Sequence, residues 1–343
     1  MRIRLYLFVL MLSVSLSAMA QTKLTKQRKL KKWSVPSANY SGITPLGDNR
    51  YAVVSDKQET DGWSEMRIVI DEKSGKVKDV EYLGFHSSQT KARDAEDIVF
   101  TNNRMYICAE DDQRILEYDL DAVPTGRELS VPDCATISKV VGNYGFESLA
   151  YSAKDSLFYA CTENTLKADG DVSSFAHEMP AKIRILSFDA HLNAAHQYLY
   201  LTDAPTAKKT PRQMAFGVSA MTALDDGSLL MLEREFFVAK KYVGSYVRNK
   251  LYKVSTTEAD TISSEPIDDE TAVSKALPKS LVADWTTRLN LTRRSIANYE
   301  GMCLGPKLKD GRQTILLISD SQGGYGNSMF HLKDYIKVII LAD

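Results

Sequence analysis

Acidic side chains recur at two places in this sequence, directly before certain apolar runs and directly after others. The acids that come before are Glu96, Asp97, Glu147 and Glu300. The acids that come after are Asp56, Glu110, Glu163, Glu233 and Asp320. Carboxylates that are gathered at one site repel each other, so they take up protons or bind cations. The cation that such a set suggests is calcium, which takes roughly six to eight oxygen ligands.

Two arginines flank these acids. Arg93 stands shortly before Glu96, and Arg234 directly follows Glu233. A guanidinium group binds phosphate or carboxylate through a bidentate fork, so an anionic small molecule is the expected substrate or ligand. The residues expected to be catalytic are Glu96, Glu147, Glu300, Arg93 and Arg234. The residues expected to bind Ca²⁺ are Asp97, Asp56, Glu110, Glu163, Glu233 and Asp320.

The same acids also have a purely structural interpretation. Each carboxylate can accept backbone N–H groups or pair with a cation, and so fasten one part of the fold to the next. The cations available for such pairs are Arg50, Lys57, Arg93, Arg114 and Arg234. For any single acid the sequence leaves both interpretations open, whereas for the cluster as a whole we favour a ligand site.

The acids belong to a unit that occurs five times, in which a polar turn joins two apolar strands. The copies begin at Tyr40, Ala95, Phe146, Val218 and Tyr299. More polar, alternating segments follow most copies, as expected for outer strands. A unit of four strands over about 40 to 50 residues is typical of a propeller blade. We therefore predict an all-β propeller of four-stranded blades, five of them visible, with room for a sixth in the longer later intervals.

The predicted propeller positions the acids. First strands of successive blades line the central channel, and the start of each first strand lies beside the end of its antiparallel partner. The recurring acids are therefore expected to meet at one mouth of the channel. The N-terminal segment KLKKWSVP, residues 29–36, is expected to close the ring as the outer strand of the last blade.

The N-terminus predicts export. Residues 1–20 combine Arg2 and Arg4, an apolar run and a final Ala-Met-Ala, which is the pattern of a signal peptide. The rest, residues 21–343, is expected to form a single propeller domain in the periplasm or the medium, with no membrane span after cleavage. Positive and negative side chains nearly cancel, 43 against 44, which argues against nucleic-acid binding. The oligomeric state stays open.

Familiar catalytic signatures are missing from the sequence. It contains no G-x-S-x-G elbow, no H-E-x-x-H pair, no Walker loop and no Rossmann glycine fingerprint. The four cysteines form no C-x-x-C pair, and Cys108 and Cys161 stand in apolar runs where we expect small buried side chains. Any hydrolysis is therefore expected to depend on the acidic mouth.

Several stretches resemble the phytase-like propellers, a family described by an esterase-like activity of phytase. They are RDAEDI (93–98), FESLAY (146–151), LLMLERE (229–235), RNKLYKV (248–254), NYEGMCL (298–304) and LLISDSQGG (316–324). The resemblance extends from about Ser41 to Leu332. It implies an exported propeller that hydrolyses phosphate or carboxylic esters with the help of calcium. The chain departs from the family pattern where Glu96 and Glu147 are followed by Asp97 and Ser148 instead of glycine.

We therefore expect a metal-assisted hydrolase of phosphate or carboxylic esters that acts at the acidic mouth. The alternative is a propeller without catalysis that binds a ligand or a protein at the same place. A dedicated nucleophile or base in the sequence would separate the two, and none stands out.

Overall fold

Each copy of the repeat forms an antiparallel hairpin in the computed structural model of the chain. The structure describes residues 21–56, 58–292, 294, 296–326 and 330–342. The expected signal peptide, residues 1–20, and Lys57 lie outside the described residues. Two hairpin turns, Asp48-Asn49 and Asn102-Asn103, have φ between 49° and 60° at all four residues. Asn and Asp adopt this left-handed conformation more readily than most residues, which explains their place in tight hairpins.

The strands of the described residues form five antiparallel sheets. Blade 1 contains β3 (Tyr40–Gly47), β4 (Arg50–Ser55), β5 (Thr60–Ile70) and β6 (Val77–Lys91). Blade 2 contains β7 (Ala95–Thr101), β8 (Arg104–Ala109), β9 (Arg114–Tyr118) and β10 (Pro124–Glu128). Blade 3 contains β11 (Phe146–Ser152), β12 (Leu157–Thr162), β13 (Lys182–Phe188) and β14 (Ala194–Leu201). Blade 4 contains β15 (Gln213–Ala223), β16 (Leu229–Val238), β17 (Tyr246–Val254) and β18 (Lys279–Arg288). Blade 5 contains β19 (Asn298–Leu304), β20 (Thr314–Asp320) and β21 (Tyr335–Ile340), joined by the N-terminal strands β1 (Lys23–Leu24) and β2 (Arg28–Lys29).

The first strands of neighbouring blades contact each other all the way round. β3 contacts β7, β7 contacts β11, β11 contacts β15, β15 contacts β19, and β19 contacts β3 again. The predicted all-β propeller of four-stranded blades is therefore confirmed. Of the five or six blades that the sequence allowed, the described residues form five.

The N-terminal segment closes the ring, although with residues other than those predicted. β1 and β2 both pair with β21, and Thr25 between them exchanges hydrogen bonds with Val338 at 2.8 to 3.1 Å. Of the predicted segment KLKKWSVP, only Lys29 joins the sheet. Leu30–Trp33 forms a 3-10 helix instead, because Leu30 turns inward and is fully buried in the core between blades 5 and 1.

The hydrophobic core lies between neighbouring blades. Between blades 2 and 3, for example, Tyr106 packs against Phe158 with ring centroids 4.6 Å apart. Cys108 and Cys161 are fully buried in such layers, as predicted, and all four cysteines are free thiols. Burying apolar faces between blades stabilises the ring by roughly 25 cal/mol per Å² of apolar surface removed from water.

Helical structure is confined to short segments in the connections. The one α-helix of the described residues, α1 (Asp269–Lys275), is capped by Asp268, which accepts a hydrogen bond from the Thr271 amide at 2.8 Å. The remaining 3-10 helices are Asp133–Ala135, Ile137–Lys139 and Gln322–Gly324. Within the described residues, no helix has the length and apolar character that crossing a bilayer requires.

Candidate functional site

Every innermost strand carries a β-bulge at the same place. In blade 2, Ala95 faces Ala109 and Asp97 faces Cys108, so Glu96 is the extra residue between them. The residues at this bulge position are Ser41, Glu96, Glu147, Ser219 and Glu300. A bulge bends its strand and redirects a side chain. The two serines donate hydrogen bonds to the next blade, Ser41 to the Ala95 carbonyl at 2.6 Å and Ser219 to the Tyr299 carbonyl at 3.0 Å.

A second set of equivalent residues belongs to the second strands and stands at or just past the strand end, except in blade 4, where β16 continues to Val238. The residues at this rim position are Asp56, Glu110, Glu163, Arg234 and Asp320. They lie beside the residues two positions before each bulge residue, which are Asn39, Asp94, Gly145, Gly217 and Asn298. The backbone pairing is the same in different blades: the Glu110 amide donates to the Asp94 carbonyl at 2.9 Å, and the Glu163 amide to the Gly145 carbonyl at 2.9 Å.

The bulge and rim positions together form an acidic mouth around a pocket of about 440 Å³. Most of the predicted site residues meet there, namely Asp56, Glu96, Glu110, Glu147, Glu163 and Arg234, with Glu300 and Asp320 adjoining. Asn39, Asn143, Tyr144, Ala215 and Gln322 complete the lining. The expectation that the recurring acids gather at one end of the channel is met by these residues.

Burial and mutual repulsion shape the acids of the mouth. Burial, followed by the charges of Glu300 and Asp56, raises the pKa of Glu96 well above its usual range. The pKa of Glu147 is likewise raised by burial and then by Glu96 and Glu163. Neither the Glu96 nor the Glu147 carboxylate has a hydrogen bond or ion pair within the described residues. Both carboxylates are thus available for a proton or a cation.

Arg234 neutralises one side of the mouth. Its guanidinium group, which is 3% exposed, donates hydrogen bonds to the carboxylates of Glu163 and Glu300. It also donates to the Asn298 side chain at 3.0 Å, and Asn298 donates to Glu300 at 2.8 Å. Burial raises the pKa of Glu163 to about 7, against the opposing effect of Arg234. Because Glu163 belongs to blade 3, Arg234 to blade 4 and Glu300 to blade 5, these pairs also fasten three blades together.

The other side of the mouth offers a group of oxygen ligands. Carboxylate oxygens of Asp56, Asp94 and Glu96 all lie within 4.8 Å of one another. Asp94 was not among the predicted ligands. It precedes β7 with a φ of 62°, and lining up the copies one residue further upstream would have placed it beside Asn39, Gly145, Gly217 and Asn298.

Glu233 lies away from the mouth. Its carboxylate accepts hydrogen bonds from Tyr200 of blade 3 and Lys279 of blade 4, both at 2.6 Å, where these two blades meet. The register explains this position, because Val218 faces Glu233 and the rim position of blade 4 belongs to Arg234. A shift of one residue along a strand moves a side chain to the opposite face. The predicted placement of Glu233 among the ligands of the mouth is therefore corrected.

Asp97 is also separate from the group of ligands. It is buried beyond the bulge, where its carboxylate accepts hydrogen bonds from the Ile98 amide at 2.8 Å and the Leu149 amide at 2.9 Å. A β-carbon on Gly42 would come within 2.5 Å of the Asp97 α-carbon, so blade 1 approaches closely here. Asp97 thus links blades 1, 2 and 3, which supports the structural interpretation of this acid over the predicted metal ligation.

Arg93 is likewise engaged elsewhere. Its guanidinium group donates to Asp61 at 2.8 Å and to Asp112 at 3.0 and 3.1 Å, while Tyr118 also donates to Asp61. These contacts join the outer strands of blades 1 and 2. The predicted anion-binding role of Arg93 at the mouth therefore lacks the required placement, since both edges of its guanidinium group are already paired.

The fold and the site define a five-bladed propeller with an acidic channel mouth. The chain belongs to the Phytase-like family, described as having the esterase-like activity of phytase, whose family model matches residues 36–322. The resemblance seen in the sequence is thereby confirmed. No curated protein sequence matches the chain.

Several solved structures are similar to the chain at low sequence identity. The endo-arabinase from Bacteroides thetaiotaomicron is 11% identical with a TM-score of 0.44, and the match covers 88% of this chain and 94% of that one. The catalytic domain of the Coprinopsis cinerea GH62 α-L-arabinofuranosidase is 11% identical with a TM-score of 0.44, covering 94% and 97%. The PQQ-bound aldose sugar dehydrogenase from Streptomyces coelicolor is 12% identical with a TM-score of 0.42, covering 94% and 99%.

Proposed function

We propose that this chain is an exported, calcium-assisted hydrolase of phosphate or carboxylic esters that acts at the acidic mouth. The observation that carries the proposal is the group of carboxylate oxygens from Asp56, Asp94 and Glu96, which lie within 4.8 Å of one another beside a pocket of about 440 Å³. Membership of the Phytase-like family supports the same reaction class. The periplasm or the medium is the proposed location, on the basis of the N-terminal pattern.

The donor set of the mouth fits a hard cation. Calcium prefers carboxylate and carbonyl oxygens and takes roughly six to eight of them, so water and backbone would complete the three carboxylates. Burial and repulsion from Glu300 and Asp56 already raise the pKa of Glu96, which means that its anionic form lacks a compensating charge. A bound calcium ion would supply that charge and could polarise the carbonyl or phosphoryl oxygen of a substrate.

Two other residues have roles that follow from their surroundings. Glu147 lines the pocket with a raised pKa and without a hydrogen bond to the described residues, so it is the side chain suited to accept or donate a proton. Arg234 brings positive charge to the side of the ring opposite blades 1 and 2 and holds Glu163 and Glu300 in place. It therefore fixes these two side chains on the side of the mouth that an anionic substrate would face.

A propeller that binds an anionic ligand without converting it is the second candidate function. The pairs between Arg234 and the carboxylates of Glu163 and Glu300 favour it, because they use the one rim-position cation for internal neutralisation. Both candidate functions use the acidic mouth, but only the hydrolase would convert the ligand that it binds there.

Turnover of two generic substrates tests the proposal. The chelator-treated protein is assayed with p-nitrophenyl phosphate and p-nitrophenyl acetate, before and after calcium is added. We expect calcium-dependent hydrolysis of at least one substrate, and a loss of about 10²-fold or more in kcat for Glu147→Gln. Glu128→Gln, on the exposed outer strand β10, is the matched control and should keep full activity. Failure of calcium to produce turnover of either substrate would refute the hydrolase and leave the binding function.

A further inference from the structure

A second pocket, separate from the acidic mouth, lies between the N-terminal segment and the end of blade 5. It has a volume of about 710 Å³, and we call it the lysine pocket. Its polar lining consists of Lys29, Lys31, Ser34, Ser37, His331, Lys333 and Asp334. The excess of cationic side chains contrasts with the carboxylates that line the mouth.

The lysines of this pocket have no anionic partner. Within the described residues, no ion pair joins Lys29, Lys31 or Lys333 to an acid. Burial, followed by the charge of Lys29, lowers the pKa of Lys333, and Arg294 and Lys31 act in the same direction. Four cationic groups therefore lie close enough to repel each other, which an added anion would relieve.

The single acid of the pocket is already engaged. Asp334 is buried and accepts a hydrogen bond from the Ser37 hydroxyl at 2.7 Å. The Ser34 hydroxyl makes no hydrogen bond to the described residues and lies in the same lining. The pocket thus presents ammonium groups and a hydroxyl donor, which are the groups that bind oxyanions.

A short loop keeps the two pockets apart. Gln322 lines the mouth, whereas Gly323 and Gly324 line the lysine pocket. The Asn39 side chain holds this loop by accepting a hydrogen bond from the Gly323 amide. The acids of the mouth therefore lie on the other side of the loop, where they cannot pair with the lysines.

We propose that the lysine pocket is a binding site for an anionic phosphate group, carried by a phosphomonoester, by a phosphodiester lipid headgroup or by free phosphate. Lys29, Lys31 and Lys333 provide the charge, because an ammonium group attracts phosphate as a point charge with three donors. Ser34 adds a neutral donor. The site is independent of the proposed function, since none of its residues belongs to the mouth.

Binding of inorganic phosphate tests the site directly. Calorimetric titration of the full chain with phosphate should show binding that weakens as salt is added. The double variant Lys29→Gln/Lys333→Gln should bind phosphate about tenfold more weakly or worse, because two charge-assisted contacts are lost. The matched control is Lys26→Gln/Lys32→Gln, which removes the same charge from exposed positions of the same segment outside the pocket.

Vesicles distinguish the sources of the phosphate group. Co-sedimentation is measured with phosphatidylglycerol vesicles and with neutral phosphatidylcholine vesicles. Binding to the anionic vesicles that the Lys29/Lys333 variant loses assigns a lipid headgroup, and binding of inorganic phosphate alone assigns a soluble phosphate. The proposal is overturned if the wild type binds neither probe, or if the double variant and the control lose binding equally.

Discussion

At the scale of single residues, Arg234 compensates the charge of two acids of the mouth. It pairs with Glu163 on blade 3 and Glu300 on blade 5, so those two carboxylates are compensated inside the protein. The carboxylate oxygens of Asp56, Asp94 and Glu96 form a separate group on blades 1 and 2, within 4.8 Å of one another. Arg234 thus compensates one part of the mouth, and the proposed calcium site uses the other part.

Replacing Arg234 tests this division. Arg234→Gln leaves the buried carboxylates of Glu163 and Glu300 without their cation, so the free energy of unfolding in urea should fall by about 3 to 5 kcal/mol. The control is Arg248→Gln, which breaks the partly exposed pair with Asp284 at 2.7 Å and should cost less than about 1 kcal/mol. Equal losses of unfolding free energy in the two variants would show that the buried pairs stabilise the fold no more than the partly exposed pair does.

The error in the sequence analysis at this scale was one of register. The copies end in Ser55-Asp56, Ala109-Glu110, Thr162-Glu163 and Ser319-Asp320, so a small residue precedes each acid. In blade 4 the matching dipeptide is Glu233-Arg234, with the acid at the small residue's place. In the sequence, the negative charge of Glu233 was the only feature that grouped it with the acids of the mouth. The pairing partner that decides which face a strand residue takes is known only once the sheet has formed.

At the scale of elements, the bulge in each first strand creates the site. It directs Glu96, Glu147 and Glu300 into the mouth while the neighbouring residue of the same strand points away. In blade 2 that neighbour is Asp97, whose carboxylate accepts amide hydrogen bonds from blades 2 and 3. Two adjacent acids therefore have different surroundings, and their opposite directions could not be read from the residue types.

Asp97→Ala separates the structural and ligand roles. The variant leaves the Ile98 and Leu149 amides unpaired in the interior, so the free energy of unfolding should fall by on the order of 3 kcal/mol. Calcium binding by the variant should be the same as that of the wild type. Asp121→Ala, an exposed acid of the same blade, should alter stability by about 0.5 kcal/mol at most. Loss of calcium binding without loss of stability would instead make Asp97 a metal ligand.

The contact between Lys337 and the N-terminal segment makes the stability of the fold depend on pH. Lys337 donates a hydrogen bond to the Thr25 carbonyl at 2.6 Å, and burial lowers the pKa of Lys337 to about 8. Because the unfolded chain binds this proton more tightly, the stability contribution of Lys337 rises as pH increases from about 8 toward the ordinary lysine range. The cost of its buried charge is fully present below pH 8.

Comparison with Lys337→Met measures this effect. The stability of the variant relative to the wild type should decline by about 2 kcal/mol between pH 7.5 and 9.5, as the wild-type lysine loses its proton. Urea unfolding at several pH values provides the measurement. A difference that stays constant with pH would mean that the Lys337 charge is not buried by the N-terminal segment.

At the scale of the whole molecule, the ring was the most predictable feature. Five copies of a strand-turn-strand pattern require neighbouring blades to bury their apolar faces, so repetition specifies the propeller. The N-terminal segment that closes the ring was less predictable. Its strands β1 and β2 have two residues each and pair with β21 through backbone groups, which are the same in every sequence. Leu30, which the sequence analysis assigned to a strand, instead fills the core between blades 5 and 1.

Calcium binding to the mouth is the most direct test of the central claim. Chelator-treated wild type, Glu96→Gln and Glu233→Gln are titrated with calcium by calorimetry. We predict that the wild type binds calcium, that Glu96→Gln binds it about tenfold more weakly or worse because one of three close carboxylates is neutralised, and that Glu233→Gln binds like the wild type. A wild type that binds no calcium, or a Glu96→Gln variant that binds it equally well, would contradict the account.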